Sequence, residues 1–329
     1  MTETPLAARI DRAVDLLRAG ELVAFPTETV YGLGADATNP SAVARIFAAK
    51  GRPADHPVIV HIPGAAYVER WARRVPAVAW ELAEAFWPGQ LTLILERQPQ
   101  VGDVVTGGQD TVGLRVPGHP VALDLLRAFA ADGGAGGLAA PSANRFGRIS
   151  PTTAAHVREE LGERVALILD GGPCPLGIES TIVDCSRGAP KLLRPGHVTP
   201  EQIEAVTGIV VGAPDATSPR VPGALESHYA PSTPVCLVDA DSLGEVVRRR
   251  HDAGERVAVL ARSVQPILAA DGWIAAAADG AAYAHDLYAA LRRLDACGAD
   301  IILVEAPPGG AEWAAIADRL RRAAGAAVS

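Results

Sequence analysis

Leu6, Ile10, Val14 and Leu17 recur at helical spacing, which predicts a helix over residues 5 to 19 closed by Gly20. A short strand over 21 to 25 follows, and Pro26 ends it. Asn39 then offers an N-cap with Pro40 at the first helical position, and Val43, Ile46 and Phe47 form an apolar stripe that ends at Lys50-Gly51. The run PVIVHI (57 to 62) reads as a buried strand, 76 to 87 as a helix, LTLILER (91 to 97) and VGLRVP (112 to 117) as strands, and 120 to 131 as a helix. From 133 to 152 glycines and small polar residues dominate, so a short apolar strand leading into an ordered functional loop is expected there. Strands over 165 to 170, 180 to 186 and 191 to 196, then a short helix PEQIEAV, complete this half.

Between Gly212 and Pro234 the pattern lapses: Pro214, Pro219, Pro222, Pro231 and Pro234 lie among Ser, Thr, Gly and Ala, as in an extended linker. Strand PVCLVD, helix 241 to 251, strand RVAVLA, helix 280 to 296, strand DIILVEA and helix 311 to 324 then alternate as in a small parallel α/β domain. The division is therefore 1–207 for a first domain, 208–231 for a Pro-rich linker or lid, and 232–329 for a second α/β domain. A length of 329 residues suits two domains, each with its own core.

A hydrophobic fraction of 49% with 21% charge describes a soluble globular protein. No apolar run reaches the roughly 18 residues of a membrane span, and the acidic, amphipathic start is unlike a signal peptide, so a cytoplasmic location is expected. The 4 cysteines show no CxxC pair and read as small buried hydrophobes. A net charge of −8 argues against a broad basic nucleic-acid surface, while a small anion held by a few local cations stays open.

Four stretches carry candidate chemistry. Thr27, Glu28, Thr29 and Tyr31, followed by Gly32 and Gly34, read either as turn chemistry or as hydroxyls and amides around a small polar ligand. In Lys50-Gly51-Arg52 two cations flank a glycine, where a point charge and a planar fork can share an anion such as a triphosphate; His56 and His61 follow, and His61 reads equally as a strand histidine. Ser142, Asn144 and Ser150 sit in the glycine-rich loop. Glu179-Ser180-Thr181 and Arg194 of LLRPG form the fourth group. Walker-loop, kinase, HExxH and GxSxG signatures are absent.

PTETVYGLG, KGRP before HPVIVHI, PSANRFGRISPT and ESTIVD…LLRPG stand in the order and spacing of the YrdC-like threonylcarbamoyl-adenylate synthases, over roughly residues 10 to 200. With SPRVPG…HYAP and the closing α/β domain, the chain resembles the long two-domain form of that family. The resemblance implies an α/β fold: a YrdC-like twisted mixed-sheet catalytic domain with a smaller Rossmann-like parallel α/β domain. It implies an ATP-dependent nucleotidyltransferase that makes L-threonylcarbamoyladenylate from L-threonine, bicarbonate and ATP and releases pyrophosphate. That is the first step of threonylcarbamoyladenosine modification of tRNA, and the product passes to the downstream tRNA threonylcarbamoyl-transferase machinery. Thr29, His61, Arg115 and Ser180 would face threonine. Lys50, Arg52, His56, Thr111, Ser142, Asn144, Ser150 and Arg194 would face ATP, Tyr229 would close over it, and Lys50 and Arg52 would act in catalysis.

Mg²⁺ is expected through the ATP phosphates, without a dedicated protein cage. A threonine carbamate is short-lived in water, so enclosure and positioned cations matter more than a strong base. Two departures from the family pattern stand out: Ala224, Leu225, Glu226 and Ser227 replace a stretch that often holds an aromatic or a base, and Phe146 stands where serine is common. A carbamoyl-adenylate enzyme of the YrdC-like class and a non-catalytic RNA-binding module are the alternatives, with direct tRNA binding left open by the charge.

Overall fold

The computed structural model describes residues 5–131, 136–223 and 228–325. Among these residues the strands are β1 (Val23–Phe25), β2 (Gly32–Asp36), β3 (Ile59–His61), β4 (Ala72–Arg74), β5 (Leu91–Arg97), β6 (Thr111–Arg115), β7 (Leu138–Ala139), β8 (Leu167–Ile168), β9 (Thr181–Asp184), β10 (Lys191–Arg194), β11 (Val235–Val238), β12 (Val257–Ala261), β13 (Gly272–Ala275) and β14 (Ile301–Glu305). The α-helices are α1 (Leu6–Arg18), α2 (Pro40–Lys50), α3 (Ala77–Phe86), α4 (Asp103–Thr106), α5 (Pro120–Ala131), α6 (Ala154–Leu161), α7 (Pro200–Thr207), α8 (Ala240–Asp252), α9 (Gly280–Asp295) and α10 (Ala311–Ala324).

Contacts divide the chain into two compact units. The first takes 1–146, 151–175 and 179–224; the second takes 147–150, 176–178 and 225–329. The four departing residues 224–227 lie outside the described residues, as do Gly133 and Gly134 of the glycine-rich loop.

The first unit is built on a ten-stranded mixed sheet ordered β10-β9-β5-β6-β3-β7-β2-β1-β8, with β4 added beside β5. β3 with β6, β5 with β9 and β1 with β8 run parallel, and the remaining pairs are antiparallel. Successive side chains in a strand point to opposite faces, so each central strand divides its residues between two environments. Val60, Leu93, Leu95, Val112, Leu114 and Val183 join one core with Val43, Ile46 and Phe47 of α2 and Ala79 and Leu82 of α3. The alternate residues Ile59, Ile94 and Ile182 gather on the other face around Val221.

Residues 212–223 of the Pro-rich segment strap this second face. Gly212 bridges to Lys191 of β10, Arg220 N–H donates to Gln109 Oε1 at 2.7 Å, and Val221 covers the isoleucines. Leu192 N–H donates to the Gly212 carbonyl at 2.9 Å.

The second unit holds a four-stranded, wholly parallel sheet ordered β11-β14-β12-β13. Leu243 and Val247 of α8 pack on Val257, Val259 and Leu303 in its core. The sequence pattern predicts three strands here and the structure has four. β13 is an edge strand whose residues stay half-buried or exposed, and the alanine run that follows Trp273 and Ile274 carries no β-branched or alternating signal. In the first unit β2 and β4 also escaped the pattern, being short and, for β2, glycine-rich.

Candidate active site

Strand register assembles the second face of the large sheet. Parallel pairing sets His61 against Arg115 and Ile59 against Gly113, while antiparallel pairing sets Ile94 against Gly113 and Glu96 against Thr111. Paired residues share a face, so His61, Arg115, Gly113 and Thr111 all look the same way as Thr92 and Ile182 of the neighbouring strands. Gly113 is needed for closeness: a Cβ there would lie 3.1 Å from Ile94 Cδ1.

The loop after β1 presents hydroxyls to this face. Thr27 donates to the Val30 carbonyl at 2.6 Å, so the 2.9 Å contact between the Thr27 and Thr29 hydroxyls must use the Thr29 proton. Thr29 is thereby left as an acceptor. Glu28, read in the sequence only as part of a polar cluster, is buried and ion-paired with Arg115 at 2.6 Å.

His61 is buried beside Arg115, and burial first, then the guanidinium, depress its pKa to about 3. The imidazole is neutral at physiological pH. It makes a hydrogen bond with the Ile59 backbone, and its buried Nδ1 has no partner among the described residues.

Across β5 lies a second cluster. Ser180 and Thr92 share a hydroxyl contact of 2.8 Å, and Arg194 donates to the Ser180 hydroxyl (3.1 Å) and to its carbonyl (2.9 Å and 3.1 Å). Arg194 also donates to the Pro222 carbonyl at 3.0 Å, which ties this cation to the strap. Thr92 was missed in the sequence because it sits in the apolar run LTLILER; the signal was a hydroxyl at an inward position of a buried strand.

The cations of KGR are placed by the end of α2. Gly51 takes φ 63°, the left-handed conformation that closes a helix, and turns the chain immediately after Lys50. The Lys50 ammonium donates to the carbonyls of Ser142 and Asn144, 2.5 Å each, and Phe146 N–H returns a bond to the Lys50 carbonyl at 2.8 Å. Lys50 is thus built into the wall of the S-x-N loop. Burial, reinforced by Arg52, holds its pKa well below the usual lysine value.

Arg52 donates to the Pro57 carbonyl at 2.7 Å and lies 5.9 Å from the Phe146 ring centre. The His56 ring stacks on Phe146 at 5.4 Å, and burial followed by Arg52 lowers its pKa. The residue that departs from the family pattern therefore supplies the platform on which His56 and Arg52 rest. Backbone bonds connect the loops, with Ala143 N–H to the Tyr31 carbonyl at 2.8 Å and Tyr31 N–H to the Pro151 carbonyl at 2.8 Å.

Of the thirteen residues to which the resemblance gives a binding role, eleven belong to the first unit. Thr111 opens β6 on the same face as Arg115 but joins none of the bonded clusters. Ser150 and Tyr229 belong to the second unit, where Tyr229 takes φ 62° and its ring lies 5.9 Å from that of Tyr288 and 5.2 Å from the Arg319 guanidinium carbon. Among the described residues no group of three or more His, Cys, Asp or Glu is arranged to hold a metal ion. Cys174 lies beneath the Thr27 turn as a neutral thiol whose pKa burial pushes up to about 12. No helix of the described residues is long and apolar enough to cross a membrane.

The fold and site define a two-unit α/β protein whose mixed-sheet unit buries cations and hydroxyls. Residues 15–196 match the Sua5/YciO/YrdC family model, described as telomere recombination, and residues 198–325 match the threonylcarbamoyl-AMP synthase C-terminal domain. The chain belongs to this two-domain Sua5 family. It is 42% identical to the threonylcarbamoyl-AMP synthase of Bacillus subtilis, over 97% of this chain and 94% of the relative, and 40% identical to that of Pyrococcus abyssi, over 96% and 94%. The solved structure of P. abyssi Sua5 complexed with L-threonine superposes with a TM-score of 0.90 at 38% identity, covering 98% of this chain and 96% of that one.

Proposed function

We propose that the chain synthesises L-threonylcarbamoyladenylate from L-threonine, bicarbonate and ATP, supplying the threonylcarbamoyl group for tRNA modification. The observation that carries this reading is the buried Lys50 ammonium, clamped by the Ser142 and Asn144 carbonyls in a wall that also holds Arg52. Burial lowers the Lys50 pKa more than Glu160 and Glu179 raise it, so holding the charge there is costly, and an anionic substrate repays the cost. The full-length kinship to threonylcarbamoyl-AMP synthases and the threonine complex of the P. abyssi protein support the same substrates.

Chemically, the threonine amine forms a C–N bond with bicarbonate and water leaves. A carbamate oxygen then bonds to the α-phosphorus of ATP as the α–β phosphoanhydride breaks and pyrophosphate departs. Thr29, an acceptor by its hydrogen-bond arithmetic, suits the substrate N–H. Neutral His61 suits the threonine hydroxyl through Nδ1, and Arg115 suits the carboxylate. Lys50, Arg52 and Arg194, with His56, Ser142 and Asn144 beside them, would orient the triphosphate and stabilise charge that grows on it as pyrophosphate leaves.

The hydroxyls and carbonyls beside the cations suit a Mg²⁺ carried in on phosphate oxygens. When bound, the ion would neutralise phosphate charge. The test is pyrophosphate release measured with ATP while threonine and bicarbonate are omitted in turn. Release that needs both supports the reading. Release indifferent to threonine, or retention of RNA with no turnover, overturns it.

A further inference from the structure

Glu28 is 8% exposed, and both oxygens of its carboxylate are used. Oε1 accepts from Arg115 Nη2 at 2.6 Å and Oε2 accepts from the Gly118 N–H at 2.8 Å. The same guanidinium donates through Nε to the Gly89 carbonyl at 3.1 Å. Two edges of a rigid planar group are therefore fixed, while Nη1 has no hydrogen-bond partner among the described residues.

Three chain segments converge on this carboxylate: the loop after β1, the turn from Pro88 into β5, and the turn from β6 into α5. Gly118 lies against both of the other segments, since a Cβ there would lie 3.4 Å from Glu28 Cδ and 3.5 Å from Gly89 Cα. Arg115 is the terminal residue of β6 and pairs with His61, which is neutral, so Glu28 is the anion that balances this guanidinium before substrate arrives.

A buried ion pair is a poor source of net stability, because desolvation of both ions offsets their attraction. What the pair does supply is aim. Held at Nε and Nη2, the guanidinium cannot swing, and Nη1 points to a constant position. We infer that Glu28 is a positioning residue for Arg115, holding Nη1 toward the threonine carboxylate and so setting the threonine KM rather than the nucleotide KM. The inference rests on the proposed function in taking Arg115 as the carboxylate contact. It adds that specificity for an α-carboxylate is built from the second residue of the TET turn.

Steady-state pyrophosphate release by the full chain tests this, with threonine and ATP varied separately. In Glu28→Gln one amide oxygen must serve two donors, so one bond is lost. The threonine KM is expected to rise at least tenfold while the ATP KM stays within twofold. Glu28→Asp keeps the charge but is a methylene short of spanning both donors, and its threonine KM should fall between the two. If Glu28 acts through Arg115, the double variant Glu28→Gln/Arg115→Lys is no worse for threonine than Arg115→Lys alone.

Additive losses in the double variant, or equal rises in both KM values, overturn the inference. Should Glu28→Gln lose its cooperative unfolding transition, Glu28→Asp carries the test, and a wild-type threonine KM in that variant overturns it. A wild-type enzyme that releases pyrophosphate without regard to threonine sinks the functional reading itself. A threonine-dependent wild type with an unchanged Glu28→Gln sinks only the role of Glu28.

Discussion

The two units bury cations in contrasting ways. In the second, Arg319 is wholly buried and donates to Asp318 at 2.6 Å, Arg322 reaches the same carboxylate at 3.0 Å, and Arg262 reaches Glu305, whose oxygens also take the N–H groups of Arg262 and Ser263 at 2.7 Å and 2.8 Å. In the first, Lys50, Arg52 and Arg194 all donate to main-chain carbonyls. A carboxylate cancels a buried charge, whereas a carbonyl only solvates it. The second unit's cations each meet a carboxylate directly, whereas Lys50 is bonded to carbonyls and its burial outweighs the charges of Glu160 and Glu179, so an incoming anion can use its positive field. Arg115, ion-paired with Glu28 at 2.6 Å, is the first unit's cation assigned to geometry rather than to charge.

The largest effect is expected where this contrast is removed. Lys50→Met should cut threonine-dependent pyrophosphate release by at least about 100-fold, as for loss of a preorganised electrostatic contact. The same substitution should raise the unfolding midpoint. Burial depresses the Lys50 pKa, so at neutral pH the unfolded chain holds that proton more readily than the folded one, and a neutral side chain removes the penalty. A variant that loses both activity and stability would break the comparison. In the second unit the opposite holds: Arg319→Met strands part of the Asp318 charge and should cost about 3 kcal/mol, read from denaturant unfolding.

A smaller effect separates His61 from both groups. Its folded pKa of about 3 lies below the 6.5 of an unfolded histidine, so between these values the unfolded chain binds a proton that the folded chain refuses. Stability should therefore fall as pH drops below about 6.5, with a slope approaching roughly 1.4 kcal/mol per pH unit from this one group. His61→Gln should flatten that slope. An unchanged slope would mean the imidazole is not held neutral by its burial.

Periodicity located most helices and the apolar strands because those signals are local: Ile10, Val14 and Leu17 of α1 and Ile46 and Phe47 of α2 lie on the faces their spacing predicts. The order of the large sheet was not legible, since β5 lies between β9 and β6, and β7 between β3 and β2, by pairings that no short stretch encodes. The same limit applies to the site. KGR and S-x-N stood out as polar clusters, but that Lys50 is clamped by the S-x-N carbonyls, or that Glu28 answers Arg115 87 residues away, depends on register and loop closure. Thr92 was camouflaged as a hydroxyl inside an apolar run, whereas Phe146 was visible as a departure without any sign of the ring contacts it makes with His56 and Arg52.

The mildest test concerns how the strap is fastened over the face that carries these cations. One fastening is charged: Lys191 meets Asp215 at 2.7 Å, and that contact, with the Thr217 hydroxyl and amide, holds the carboxylate below its ordinary pKa. The other is apolar: Val221, 8% exposed, seals Ile59, Ile94 and Ile182. An exposed pair is screened by water and salt, whereas a buried methyl pair removed from the sheet face leaves a gap. Asp215→Asn should therefore move the melting midpoint by less than about 2 °C at moderate salt. Val221→Ala should cost about 1–2 kcal/mol and raise the rate of proteolytic cutting between 212 and 223. If Asp215→Asn opens the strap to protease more than Val221→Ala does, the charged contact is the fastening. The strap would then depend on ionic strength as the cation wall beneath it does not.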